Sequence, residues 1–154
     1  MQQLLIAPKD FKIIGRLLAY ENPALANHLY SSYQSNQKTP AETDLSKIEP
    51  FFLQFCKEES ILPSEHRGAQ YKRIRIDKQR LFIAVIIQIY APNLFDPKNR
   101  NQRVPNGLRK SIAISLHKDQ DNTSRLIQEI IMMERVYDEF RGRAEKLVTV
   151  LIKA

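Results

Sequence analysis

The chemically most informative feature of the sequence is an uneven distribution of basic side chains. Residues 1–71 hold seven Lys and Arg against eight Asp and Glu, and residues 111–154 hold seven of each. Residues 72–110 therefore supply the whole net charge of +7. Their only carboxylates are Asp77 and Asp96, and their cations are Lys72, Arg73, Arg75, Lys78, Arg80, Lys98, Arg100, Arg103, Arg109 and Lys110. Clustered cations release counterions from phosphates and steer association, so this segment predicts a polyanionic partner. The alternative is a solvated basic face.

Catalytic chemistry has weaker support in the sequence. His28, His66 and His117 are scattered, and none has a carboxylate or another histidine at metal-ligand spacing on a predicted common face. The four glycines are dispersed, which excludes a glycine-rich phosphate loop. Ser115 and Lys118 match a serine-x-x-lysine pattern, but its companion motifs are absent. We therefore expect a non-enzymatic protein without a metal or cofactor.

Carboxylate pairs do not change that expectation. Glu58–Glu59 and Asp138–Glu139 lie in charged helical stretches, where a solvated face is the usual explanation. A nuclease that uses Glu65, His66 and the basic segment is the enzymatic alternative, and incubation with nucleic acid and a divalent metal would test it.

Residues 112–127, IAISLHKDQDNTSRLI, have the residue types of a helix pair that reads DNA. Ala113 is small enough for the point where two helices cross, and Leu116 provides a buried anchor one turn later. The second helix needs a cap and then short polar and cationic groups that reach bases and phosphates. The residues of these types are Asn122, Thr123, Ser124 and Arg125.

This stretch resembles the helix-turn-helix superfamily of bacterial transcription regulators over some 20 of the 154 residues. That superfamily has isoleucine-alanine, leucine three residues after the alanine, and serine-arginine eleven and twelve after it. The corresponding residues are Ile112, Ala113, Leu116, Ser124 and Arg125, and Ile127 takes the next buried position.

The chain departs from the superfamily pattern in and after the turn. His117, Lys118 and Asp119 replace the usual glycine, apolar residue and cap, and Thr123 replaces a common valine. A turn longer than the superfamily's is therefore an open alternative.

The resemblance implies a role for each polar residue. Ser124, Arg125 and Gln128 would face the major groove, with Arg125 donating two bonds to guanine and Gln128 pairing with adenine. Asn122 would cap the reading helix and hold a phosphate at its N-terminus. Contacts to the DNA backbone would come from Lys78, Arg80, Lys98, Arg100, Arg103, Arg109, Lys110, Lys118, Asn122 and Thr123.

The apolar spacing that must position these residues is helical nearly everywhere, which predicts a mainly α-helical fold. We expect a single domain, residues 1–154, with an N-terminal helical part at 1–71. Residues 72–154 would hold the basic segment, a tri-helical helix-turn-helix unit and a long C-terminal helix. The N-terminal part begins with two short neighbouring helices, the second capped by Asn22 before Pro23. We interpret this part as core and packing.

The middle of the chain is predicted to contain a loop, a helix, a short extended segment and a buried central helix. Residues 34–43 are polar and form a loop, and a helix follows with Leu45, Ile48, Phe52 and Phe55 on one face. YKRIRI, residues 71–76, alternates as a short strand or extended arm does. Asp77 would then cap a central, almost entirely buried helix that reaches Ala91, although a strand also suits its β-branched residues.

A heptad seam follows the helix-turn-helix stretch. Its members are Leu126, Ile130, Met133, Tyr137, Phe140, Ala144, Leu147 and Leu151. They predict one long helix from Asn122 to the end of the chain. The seam would either form a homodimer through residues 126–151 or pack against this chain's own N-terminal helices.

The remaining features concern location and function. No stretch is long and apolar enough to span a membrane, and we expect a cytoplasmic protein. Cys56, the single cysteine, is interpreted as a small buried hydrophobe. The predicted function is double-stranded DNA binding by a transcription regulator or a mobile-element accessory factor. The alternative is a helical adaptor whose basic stripe binds an acidic protein or RNA.

Overall fold

The computed structural model describes residues 10–67, 73–96 and 102–154. Within these ranges the chain is α-helical, with short 3₁₀ turns and no β-strand. The prediction of a mainly α-helical fold is therefore confirmed. The contacts group the chain into two compact units, Met1–Lys38 and Thr39–Ala154. One domain for the whole chain, with a division near residue 71, stays a prediction.

The first unit contains α1 (Phe11–Glu21) and α2 (Pro23–Ser35), which contact each other. Asn22 caps α2 as predicted, because its Oδ1 accepts a hydrogen bond of 3.0 Å from the Leu25 N–H. No residue of α2 is buried, and Ile14 and Leu17 of α1 are exposed. The interpretation of residues 1–71 as core and packing is thus wrong for the described residues of this helix pair, which contact each other without burying a side chain of α2.

Over its described residues the second unit contains six helices and two 3₁₀ turns, at Leu45–Lys47 and Pro92–Phe95. The helices are α3 (Ile48–Glu58), α4 (Pro63–His66), α5 (Arg73–Tyr90), α6 (Leu108–Leu116), α7 (Gln120–Val136) and α8 (Asp138–Lys153). α5 contacts each of the other five. The helices α5, α6 and α7 also contact one another, which gives the predicted helix-turn-helix stretch a tri-helical setting.

α5 is the predicted central helix. From Leu81 to Ala91 every residue is buried except Gln88, which is half-buried. Each fully buried large side chain contributes about 1.5–3 kcal/mol to stability, so this helix organises the core. Cys56 is buried as expected, and desolvation raises the pKa of its thiol to about 11.

Two predictions for the start of α5 are wrong. Residues 73–76 of the predicted strand are helical, while residues 71 and 72 lie outside the described residues. Asp77 lies inside α5 and is not its cap. The described part of the chain offers no second strand to satisfy a strand's N–H and C=O groups. Extending an existing helix by one turn needs no new nucleus, so residues 73–76 continue α5 as a helix.

The C-terminal region differs from the predicted continuous helix. Extended backbone at Tyr137 (φ −108°, ψ 100°) separates α7 from α8, so the long C-terminal helix is α8, with 16 residues. Along a straight α-helix, a seam of apolar residues with period 3.5 rotates around the helix by about 20° per heptad. A break at Tyr137 allows the apolar face of α8 to turn back towards α5. Ile130, Ala144, Leu147 and Leu151 are buried within this chain, where α7 and α8 contact mainly α5 and α8 also contacts α3. The predicted packing on the N-terminal helices is therefore corrected to packing mainly on the central helix. None of the described helices has the length and apolarity needed to cross a membrane.

Candidate nucleic-acid interface

The α6–α7 pair has a short, closed turn. α6 ends at Leu116, and His117 adopts the left-handed conformation with φ 51°. The His117 N–H donates to the Ile114 carbonyl at 3.1 Å, and the Lys118 N–H donates to the Ala113 carbonyl at 2.9 Å. Histidine thus takes the conformation that glycine adopts without strain. Three residues separate the two helices, so the turn is not extended.

The N-terminus of α7 is capped by Asp119, which corrects the prediction that Asn122 caps it. One Asp119 oxygen accepts a 2.8 Å hydrogen bond from the Asn122 N–H, and the other accepts one from the Asn122 side-chain amide. The hydrogen bond from the Asn122 backbone is the largest cause of a lowered pKa of Asp119. A carboxylate therefore fixes negative charge where the helix dipole would otherwise attract a phosphate.

The next two residues of α7 are already engaged. Thr123 is fully buried, and its hydroxyl donates to the Asp119 carbonyl at 2.8 Å, so it offers nothing to a DNA backbone. The Ser124 hydroxyl donates to the Gln120 carbonyl at 2.8 Å and accepts from Arg109 Nη1 at 3.0 Å. Ser124 thus links the two helices of the pair.

The remaining predicted base-reading residues are accessible. Arg125 and Gln128 are both exposed on α7, at positions 5 and 8 residues after Gln120. Gln128 borders the groove described next, whereas Arg125 does not line it.

A groove of about 780 Å³ lies between α7 and the segment that leads into α6. The described residues that line it are Leu94, Gln102, Arg103, Val104, Pro105, Asn106, Gly107, Arg109, Lys110, Gln120, Ser124, Ile127, Gln128, Ile131, Met132 and Arg135. They include four cations and no carboxylate. Arg103, Arg109 and Lys110 are exposed and make no ion pair within the described ranges. We name this site the basic groove.

The N-terminus of α6 opens into the basic groove. Gly107 precedes α6 with φ +82°, a conformation that suits glycine, and a Cβ there would lie 2.9 Å from Leu45 Cδ1. No side chain caps this helix. Among the described residues, the backbone N–H groups of Arg109 and Lys110 have no hydrogen-bond acceptor. Two unused donors therefore lie beside two unpaired cationic side chains.

Arg135 builds the opposite wall of the groove. Its Nε donates to the Phe95 carbonyl at 3.3 Å, and its Nη2 lies 3.4 Å from the carbonyls of Leu94 and Asp96. These bonds tie the second 3₁₀ turn to α7. The guanidinium is half-buried, and it adds positive charge without an ion pair to a described carboxylate.

Two other predicted phosphate contacts lie outside the groove. Lys78 forms an ion pair with Glu59, which also pairs with Arg143 at 2.5 Å. Arg80 pairs with Glu129 at 2.5 Å and with Asp77 at 3.3 Å. We name Lys78 and Arg80 the paired flank. Their carboxylate partners already occupy the positions that phosphates would take.

Three further predicted phosphate contacts are either outside the described residues or away from the groove. Lys98 and Arg100 lie outside the described residues. Lys118 is half-buried in the turn and does not line the groove. Gln120 and Arg135 also line the groove and were not predicted as site residues. Their spacing of 4 and 11 residues from Ser124 on one helix was the available signal.

The buried His66 bears on the enzymatic alternative. Its ring is fully buried, with centroids 5.2 Å from Phe52, 5.5 Å from Phe55 and 6.3 Å from Phe82. Desolvation lowers its pKa to about 4. An imidazole enclosed by three phenyl rings does not reach a substrate at the surface. Nowhere in the described ranges do three or more His, Cys, Asp or Glu residues form a group that could hold a metal.

The chain was compared with protein-family models, curated proteins and solved structures. No protein-family model, no curated protein and no solved structure matches the chain.

Proposed function

We propose that this protein binds double-stranded DNA and serves as a transcription regulator or a mobile-element accessory factor. The observation that carries the proposal is the basic groove beside the α6–α7 pair. Its Arg103, Arg109 and Lys110 side chains are exposed and have no carboxylate partner among the described residues. Unpaired cations that project from one surface supply the electrostatic part of DNA affinity.

The proposal assigns positioning and reading to different residues. Arg109, Lys110 and Arg103 grip backbone phosphates, which fixes the register but carries no sequence information. Arg125 and Gln128 are exposed on α7 and reach base edges in the major groove. Ser124 holds the guanidinium of Arg109 through a 3.0 Å hydrogen bond, so its role is positioning and not base reading.

Because Asp119 caps α7, we place the proposed phosphate site at the N-terminus of α6 and not at that of α7. A phosphate beside Asn122 would lie close to the Asp119 carboxylate, which already accepts the Asn122 N–H. The uncapped start of α6 offers the N–H groups of Arg109 and Lys110 instead. An anion there gains from the helix dipole and from both side-chain charges.

A second candidate uses the same surface. A non-enzymatic adaptor would present the basic groove to an acidic protein or to RNA, and the charge of the groove suits either. The exposed Arg125 and Gln128 on one helix favour DNA, because a single projecting helix fits the major groove of B-DNA and not the narrow major groove of RNA.

The homodimer through residues 126–151 remains a further proposal. The buried seam residues are used within the chain, which leaves Met132, Val136, Val150 and Ile152 as exposed apolar side chains on α7 and α8. Sedimentation equilibrium over a range of concentrations tests it: a constant monomer mass would reject this dimer.

The experiment that tests DNA binding selects bound sites from random duplexes at two salt concentrations, followed by fluorescence anisotropy on an enriched site. Arg125→Ala should weaken binding to that site by roughly 1–3 kcal/mol and relax the preference at one position. Lys110→Ala should weaken selected and scrambled duplexes alike and reduce the salt slope by about 1. No enrichment, together with unchanged binding in both variants, would reject the proposal.

A further inference from the structure

We propose that the basic groove is also a binding site for a nucleoside monophosphate as a free ligand. This inference does not depend on DNA binding. It rests on three properties that the groove combines, namely unpaired positive charge, apolar side chains and amide side chains.

The charge of the groove fits one phosphate group. Arg109 and Lys110 are adjacent in sequence at the start of α6, and their backbone N–H groups have no acceptor among the described residues. The Lys110 ammonium is also available, and the Arg109 guanidinium keeps donors besides the one that Nη1 gives to Ser124. Arg103 lines the same groove. A phosphate dianion accepts several hydrogen bonds, and bonds between charged partners are about twice as strong as neutral ones. No carboxylate among the lining residues opposes it.

The apolar part of the groove fits a planar base. Met132 is 60% exposed, Pro105 is exposed and Val104 is half-buried, so these three residues give the groove its accessible apolar surface, above the buried side chains of Leu94, Ile127 and Ile131. A duplex displays its phosphates outward and keeps its bases stacked, so duplex DNA would leave this apolar surface uncovered. A free nucleotide covers it with the flat face of its base.

The amide side chains give the groove hydrogen-bonding groups for a base or sugar. Gln102, Asn106, Gln120 and Gln128 each provide both a donor and an acceptor, and they lie among the lining residues. The volume of about 780 Å³ is within the range of about 300–1,000 Å³ that small-molecule sites span. Charge, apolar surface, amides and size therefore specify the same ligand class.

The test measures binding of AMP, inorganic phosphate and adenosine to the full chain by isothermal titration calorimetry. Because the site needs both halves of the ligand, AMP should bind at least about 10-fold more tightly than phosphate or adenosine alone. Equal affinities for AMP and phosphate would overturn the proposal and leave only a general anion site. No binding of AMP at millimolar concentration would also overturn it.

Variants locate the site and separate it from the DNA proposal. Met132→Glu places a carboxylate in the groove from an exposed position, and Arg109→Gln with Lys110→Gln removes two cations. Each variant should weaken AMP binding at least about 10-fold. Arg125→Gln, outside the groove, is the matched control and should leave the AMP affinity within about twofold. Unchanged AMP affinity in both groove variants would overturn the proposal.

The two proposals fail in distinguishable ways. A chain that binds DNA but not AMP contradicts only the nucleotide site, and a chain that binds AMP but no duplex contradicts only the DNA proposal. If both hold, AMP should compete with duplex DNA, since the same Arg109 and Lys110 side chains serve both phosphates.

Discussion

Two parts of the basic segment carry similar cations in opposite environments. In the paired flank, Lys78 faces Glu59, and Arg80 faces Glu129 and Asp77. In the basic groove, Arg109 and Lys110 have no described carboxylate partner and lie beside unbonded N–H groups. A count of charges along the sequence does not distinguish these two parts. The difference teaches that a cation is available for an external phosphate only where the fold provides no internal anion.

Acid should destabilise the protein through His66, which is fully buried in the core of the second unit. Desolvation lowers the pKa of His66 to about 4 in the folded state, from an ordinary value of 6.5 that applies in the unfolded chain. The unfolded state therefore binds a proton between these values that the folded state does not. Stability from this group is complete above pH 6.5 and falls by roughly 3 kcal/mol as the pH is lowered to 4. Denaturant unfolding across this pH range measures the loss.

His66→Phe is the control for the acid effect, because phenylalanine fills the aromatic cage without titrating. Once its fold at pH 7 is verified, this variant should show a shallower loss between pH 6.5 and 4 than the unsubstituted protein. The same slope in both proteins would show that His66 is not the responsible group.

Removing a charged partner from the paired flank should lower the free energy of unfolding more than removing a cation from the basic groove. Glu59→Gln leaves Lys78 and Arg143 without their shared carboxylate, and we expect a loss of about 1–3 kcal/mol in unfolding free energy. Arg109→Gln in the exposed groove should cost less than about 0.5 kcal/mol. Equal losses in the two variants would remove the distinction between the regions.

The Asp119 cap offers a finer test of where a phosphate binds. Asp119→Ala should cost about 0.5–2 kcal/mol of stability through loss of the cap. Asp119→Asn keeps a capping oxygen and removes the charge, so DNA affinity should rise by about two- to fivefold at low salt. A lower DNA affinity in the asparagine variant would indicate that the carboxylate itself takes part in binding.

The smallest expected effect concerns the turn between α6 and α7. His117 holds a left-handed conformation, which costs a non-glycine residue roughly 1–2 kcal/mol. His117→Gly removes this strain but adds freedom to the unfolded chain, so we expect a net gain of about 0.5–1 kcal/mol. Thermal unfolding measures it, and a destabilised variant would mean that the imidazole makes a contact of greater value.

Local patterns were sufficient to predict much of the fold. Pro23 after Asn22 marked a helix start, and the apolar run from Leu81 to Ala91 marked a buried helix, because both signals are complete within a few residues. The helical turn of α5 before Asp77 and the helix break at Tyr137 could not be predicted in this way. They depend on which apolar face meets α5, and that is settled by residues far away in sequence.

The candidate site was predictable only in part. The spacing from Ala113 to Arg125 indicated the helix pair, and the excess of cations indicated a phosphate partner. The pairing of Lys78 and Arg80 depends on Glu59 and Glu129, which lie 19 and 49 residues away. The capping role of Asp119 was hidden because Asn122, three residues later, has a side chain that caps equally well.

The most direct measurement of the central claim compares two double variants on one duplex at one salt concentration. Arg109→Gln with Lys110→Gln removes groove cations, and Lys78→Gln with Arg80→Gln removes the same charge from the paired flank. By fluorescence anisotropy we predict a loss of about 10- to 100-fold for the groove variant and a salt slope reduced by about 2. The flank variant should stay within about threefold. Equal losses, or a loss confined to the flank variant, would contradict the account.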